Sequence, residues 1–342
     1  MNPVNAPAER RPAAWALFLA FAVVYTVWGT TYFAIKEGVR TLPPGLFGGV
    51  RIASAGLLLF AYLWLRGQPL RLPRRDFVVA AVVGLLLFVG GNGLVTVAEE
   101  TVESGATSVL VATTPLWIAL AEMFWPGGER LTLRGWVGVL TGLAGVLVLL
   151  VPRLGEPQAL LRDHGPLLVL GSAAAWAVGS LVLRYERRGG SHLVSAAYQM
   201  VLGGGGLALI GVLTGEVERV TMDRLTTGAV VAFFYLLAVS SLVAYLAYTW
   251  LLQHVSATLA GTYAYVNPAV AVLVGWLLGG EAVTGWLVGG MVVILAGVAL
   301  VRSGGRRRPA VGAAQPAPKE HSVLLAGSRS PSGRGYTPRG RD

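Results

Sequence analysis

Ten runs of roughly twenty apolar residues, joined by short polar stretches, fill this chain from residue 14 to residue 302. A run of about 18 or more apolar residues is long enough to cross the hydrocarbon core of a bilayer as a helix. In hydrocarbon every backbone polar group must be satisfied internally, and long continuous runs achieve this as helices. The runs cover about 14–35, 44–66, 77–98, 102–125, 133–152, 165–185, 193–214, 228–252, 257–279 and 283–302. Only 13% of residues are charged, where a soluble domain carries about 25%, so a water-soluble globule is excluded. The expected fold is an all-α integral membrane protein with ten transmembrane helices.

The first run follows a short polar segment, residues 1–13, that contains Arg10 and Arg11. It lacks an obvious small-residue cleavage site, which favours a retained helix over a signal peptide. The net charge of +10 would suggest nucleic-acid binding if it were spread over a folded face. Most of it instead lies in residues 303–342, which hold eight basic and two acidic residues among many Gly, Pro and Ser. Such a segment buries too little apolar surface to fold, so a disordered basic tail is expected and no nucleic-acid partner. With the N-terminus inside, twenty of the 27 Lys and Arg fall on the cytoplasmic side and six outside. The positive-inside rule then places both termini in the cytoplasm and the protein in the cell membrane as a multi-pass chain.

The two halves resemble each other. Trp28 and Lys36 in VWGTTYFAIK are matched 148 residues later by Trp176 and Arg184 in AWAVGSLVLR. Pro115, ending SGATSVLVATTP, is matched 153 residues later by Pro268, ending ATLAGTYAYVNP. Gly128-Glu129 and Leu143-Ala144-Gly145 recur 152 residues on, as Gly280-Glu281 and Leu295-Ala296-Gly297. Chance similarity between apolar helices would match Leu and Val without keeping Trp, Pro and Gly-Glu in order. Five spans per repeat is an odd number, so the second half, 153–302, enters the membrane opposite to the first, 14–152. Inverted repeats of this kind build many secondary transporters, with the substrate site near the midplane.

These motifs in this order resemble paired EamA domains of the ten-helix drug/metabolite transporter superfamily. WGTTYFAIK after an apolar run, an arginine in the second helix, mid-helix TTP and VNP, and Gly-Glu before a Gly-rich last helix carry the resemblance. It spans about residues 14 to 302. It implies two five-helix bundles, a central cavity, alternating access, and movement, most often export, of amino acids, other small metabolites or drugs.

Pro115 and Pro268 are the expected hinges. Each lacks an amide hydrogen and crowds the carbonyl four residues earlier, on Val111 and Ala264. Proline-interrupted spans at matching positions in two halves point to a transport site; a packing kink is the alternative. Thr114 and Asn267 stand beside them, and Tyr263 shares a helical face with Asn267. Trp28 and Trp176 lie halfway along their spans, where tryptophan is uncommon, and read as cavity walls or core. Asn92 and Tyr245, matched by the later offset, are further candidates. Arg51 lies about seven residues into the second span, roughly 10 Å deep. It either snorkels to the surface or serves as a cavity charge for a carboxylate, with Gln199 at the matching position. Glu122 is expected to reach the headgroups, and Glu129 and Glu281 to meet the dipoles of the fifth and tenth helices.

The four histidines are scattered, and no zinc, nucleotide or acid-cluster motif appears, so no enzyme, metal or cofactor is expected. A channel or membrane sensor is the other class the repeat allows. The expected partners are a small-molecule substrate and the bilayer, and the lipid-facing surface would also serve a homodimer.

Overall fold

Apolar continuity becomes helix wherever a chain cannot bond to water, and the chain obeys this throughout. A computed structural model describes residues 13–126, 128, 130–154, 164–185, 191–255, 257–304 and 306–307. The helices are α1 (Ala14–Val39), α2 (Pro44–Leu65), α3 (Arg74–Ala98), α4 (Ser104–Met123), α5 (Leu133–Leu154), α6 (Gly165–Tyr185), α7 (His192–Leu213), α8 (Thr227–His254), α9 (Tyr263–Gly279) and α10 (Gly285–Ser303). Among the described residues, nine of these are long and apolar enough to cross a membrane. The exception is α9. A turn at Gly261–Thr262 separates it from a single helical turn, Ala257–Ala260, and leaves it 17 residues long.

Helix ends follow local chemistry. Pro44 opens α2 with its φ preset for a helix. The hydroxyls of Thr226 and Thr284 accept from Ala229 N at 3.2 Å and Leu287 N at 3.1 Å, capping α8 and α10. Gly280, at φ +65°, closes α9 in the left-handed conformation that glycine adopts without strain.

Two helices change pitch in mid-course. Leu85–Gly93 in α3 and Leu236–Ala244 in α8 are π-helical. In α4 a turn at Ala112–Thr113 separates Ser104–Val111 from Thr114–Met123. Pro115 falls in the first turn of the second piece, where its missing N–H costs nothing. Pro268, by contrast, lies inside α9.

Two long seams hold the bundle together: α2 against α7 and α5 against α10. Both are backbone-close. A Cβ built on Gly49 would lie 2.2 Å from Ala208 N, and one on Gly204 2.4 Å from Ala53 N. On the other seam a Cβ on Gly297 would lie 2.4 Å from Gly142 N. Small residues let membrane helices approach this closely, so van der Waals contact replaces the missing hydrophobic drive. The Gly45/Gly49 and Gly138/Gly142 spacings mark real contacts. Gly285 meets nothing within 4 Å and Gly289 only Val148 at 3.7 Å, so the contact glycines of α10 are Gly290 and Gly297. Outside the seams α1 lies against α8 and α9, and α6 against α3 and α4. Leu57, Leu58, Leu140, Leu147 and Leu209 point outward and are well exposed. An apolar belt of that extent suits lipid rather than water.

Residues beyond α10 are tied to the start of α5: Arg306–Arg307 pair antiparallel with Arg130–Leu131, and Thr132 Oγ1 donates to Gly304 O at 2.8 Å. The rest of the basic tail, residues 1–12 and Glu129 lie outside the described residues.

Candidate functional site

Arg51 sets the centre. Its position one-third of the way along α2 would allow the side chain to run to the surface, but it turns inward and is 1% exposed. Nη1 donates to Ser241 Oγ at 3.0 Å and Nη2 to Asn92 Oδ1 at 2.7 Å, joining α2 to the π-helical stretches of α3 and α8. Its Nε is buried without a partner among the described residues. A guanidinium out of water demands several hydrogen bonds, and two neutral acceptors leave it undersupplied.

The guanidinium borders a cavity between α1, α2, α3, α4, α6, α8 and α9. Trp28, Arg51, Asn92, Trp176, Tyr245 and Tyr263, six of the residues expected from sequence, line it. The cavity measures about 80 Å³. One water needs about 10–15 Å³ on that measure, so the space suits several waters or one small solute.

One wall is aromatic. Trp28 meets Trp176 edge-on at 5.6 Å between ring centroids and Tyr263 edge-on at 5.0 Å, with Tyr248 tilted against it at 4.9 Å. Such edge-to-face pairs add about 0.5–1.5 kcal/mol beyond area burial. The Trp176 indole N–H is buried beside the Tyr248 and Tyr263 hydroxyls, and Ser180 and Tyr248 hydroxyls lie 3.1 Å apart. A charge, an amide, hydroxyls and a ring cluster thus border one small space, an arrangement that recognises a solute with both a polar head and an apolar body.

The remaining sequence candidates support this space from outside. Gln199, fully buried, accepts from the Tyr245 hydroxyl and donates to Ser195 Oγ at 3.1 Å, so it holds Tyr245 in place. Thr114 faces its own helix: its hydroxyl donates at 2.6 Å to Val111 O, the carbonyl that Pro115 leaves free. Asn267 is buried, and its amide nitrogen, oriented by its neighbours, reaches Tyr25 O at 3.0 Å and Tyr263 O at 3.1 Å. Replacing Thr114 with valine removes the partner of Val111 O. The expected loss is about 0.6–1.7 kcal/mol, read as a modest fall in Tm in detergent with exchange activity retained.

The acidic residues also behave differently from expectation. Glu122 is buried and accepts from the Tyr185 hydroxyl at 2.5 Å, because α6 closes over the end of α4. Glu281 serves the N-terminus of α4, not of α10, accepting from Ser104 N and Gly105 N, both at 2.9 Å. Glu216 does the same for α2, accepting from Gly45 N at 3.1 Å and Leu46 N at 2.7 Å. Carboxylates at helix N-termini meet both the free amides and the dipole. Ser240, Ser241, Thr31 and Tyr248 were not foreseen. Ser240 and Ser241 show no periodic signal, since π-helical pitch re-aims them, whereas Tyr248 follows Tyr245 at helical spacing and was legible.

The EamA-like transporter family matches the chain twice, over residues 14–151 and 164–303. The inner membrane transporter YedA of Escherichia coli (strain K12) is 38% identical over 302 residues, covering 86% of this chain and 93% of that protein. The transporter YoaV of Bacillus subtilis (strain 168) is 25% identical, covering 82% of this chain and 95% of its own. A crystal structure at 23% identity, TM-score 0.61, covers 84% of this chain and 98% of that one, a likeness of fold. Both halves of the chain therefore fall within one family of membrane proteins, and the protein belongs to the EamA-like transporter family.

Proposed function

We propose that the protein is a secondary transporter that carries small carboxylate-bearing metabolites, amino acids foremost, by alternating access around the Arg51 cavity. The observation that carries this reading is the buried, undersupplied guanidinium of Arg51 bordering an aromatic-walled space. A carboxylate offers the paired acceptor geometry that a guanidinium fork matches. The rings of Trp28, Trp176 and Tyr263 would take the apolar part of the same solute.

The moving parts follow from the fold. In this reading the ten helices are ten spans, arranged as two inverted five-helix repeats. Three features support it: the α2–α7 and α5–α10 seams join equivalent helices, α1 with α9 parallels α6 with α4, and the π-helical stretches fall in α3 and α8. Breaks in α4 and before α9, next to Pro115 and Pro268, give each half a place to bend. Both termini are assigned to the cytoplasm from the distribution of Lys and Arg, and export is the direction that the family resemblance implies.

Counterflow in proteoliposomes tests the reading. Vesicles preloaded with an unlabelled amino acid should transiently concentrate the labelled compound, with saturable kinetics, for at least one member of a panel of amino acids and related carboxylates. Non-saturable flux would make the protein a channel. No exchange across the panel would remove carboxylates as the substrate class.

A further inference from the structure

We infer that Glu99 is a proton-binding site, linked to the ligand held by Arg51. This linkage rests on the transporter reading; the proton site itself rests on the surroundings of Glu99.

Glu99 directly follows the last residue of α3 and is completely buried. Its two carboxylate oxygens are both buried, and neither has a hydrogen-bond partner among the described residues. Two other carboxylates at helix ends, Glu216 and Glu281, each accept two backbone amides. Glu99 makes no such pair of bonds. A carboxylate without donors in a dry site costs several kcal/mol, and taking up a proton removes the cost.

The charges facing it come from three other elements. Lys36, on α1, donates to Glu99 O at 2.6 Å and to Val102 O at 3.0 Å, so its ammonium is pinned to the backbone beside the carboxyl. Lys36 and Arg51 favour the ionised form, and Glu281 opposes it; Tyr32 also lies within reach of the Glu99 field. Burial outweighs the attraction to Lys36 and raises the carboxyl well above the ordinary carboxylate range. Glu99 also communicates with the cavity: it stands four residues beyond Val95 and seven beyond Asn92, both cavity-lining, on one face of the helix.

The sign of the linkage follows. Free, the positive Arg51 eases ionisation of Glu99. A ligand carboxylate on Arg51 cancels that charge and moves the Glu99 titration to higher pH, so where the free carboxyl is ionised Glu99 takes up a proton from water as the ligand enters and gives it back as the ligand leaves. By reciprocity a protonated Glu99 tightens carboxylate binding. Proton and substrate then travel together, and net export runs only when the internal substrate gradient outweighs the inward proton gradient.

Two measurements test this. Infrared difference spectra of the wild type against Glu99→Gln, taken across pH in detergent, need no transport. A protonated-carboxyl signal that persists above the ordinary carboxylate range, vanishes in alkali and is missing from the variant is expected. A carboxylate ionised throughout would overturn the proposal. In counterflow, the wild-type KM for a carboxylate substrate should rise about tenfold per pH unit above the Glu99 titration, while Glu99→Gln, resembling the neutral acid, shows a flat profile. A variant that keeps the wild-type slope would overturn the linkage. Protonated Glu99 in a protein that exchanges nothing would leave the proton site standing and remove the carrier reading.

Discussion

Arg51→Gln lowers carboxylate exchange on the order of a hundredfold while the protein stays folded. A hydrogen bond to a charged group contributes about 1.5–3 kcal/mol, and about 2.7 kcal/mol corresponds to a factor of a hundred. The variant removes the charge but keeps an amide within reach of Asn92 and Ser241, the present partners of the guanidinium. Taking an incompletely bonded ion out of a dry interior relieves a desolvation cost, so stability is expected to hold or rise slightly. Arg51→Lys separates charge from shape. It keeps the cation and loses the planar fork, and intermediate exchange is expected. Counterflow and Tm measured on the same preparations decide the matter. Wild-type exchange in Arg51→Gln would show that the substrate does not use this residue.

The second large effect concerns one run of four glycines. Gly204→Ala places a methyl group 2.4 Å from the backbone nitrogen of Ala53, and no side chain can move out of its way. The α2–α7 seam must open along its length, and overpacking against a backbone costs about 3 kcal/mol or more. Its neighbour in the run behaves oppositely. A Cβ on Gly205 meets nothing within 4 Å, so Gly205→Ala gains about 0.5–1 kcal/mol by stiffening the unfolded chain. Thermal unfolding in detergent should show Gly204→Ala strongly destabilised and Gly205→Ala at or above wild type. Equal melting points would mean that the seam is not backbone-close.

The contrast shows what a sequence can say about such a fold. Apolar run length located the helices to within a few residues, because a backbone in hydrocarbon has few alternatives. The depth of Arg51, the central tryptophans, the matched prolines and the repeat offset that pairs Asn92 with Tyr245 pointed to six residues that line the cavity. Direction was the missing quantity. Whether Arg51 turned outward or inward depended on Ser241 and Asn92, residues 190 and 41 positions away. Thr114 looked like a site residue because it stands beside Pro115, yet that same neighbour frees the carbonyl to which it bonds. Nothing in the sequence EETVE tells the buried carboxyl of Glu99 from its exposed neighbour Glu100.

The π-helical stretches of α3 and α8 carry a consequence of their own. Each squeezes an additional residue into a turn, much as a dislocation stores an extra half-plane in a crystal. A dislocation glides: its position shifts by exchanging one bond at a time, and the material on either side stays intact. If the stretch in α3 slid by a turn, Asn92 would swing away from Arg51 while the flanking helical segments kept their hydrogen bonds. The same glide in α8 would withdraw Ser241. The two contacts that hold the guanidinium in its present pose are thus mounted on the most re-indexable parts of the bundle, and the binding centre can be rewired without any helix leaving its seam.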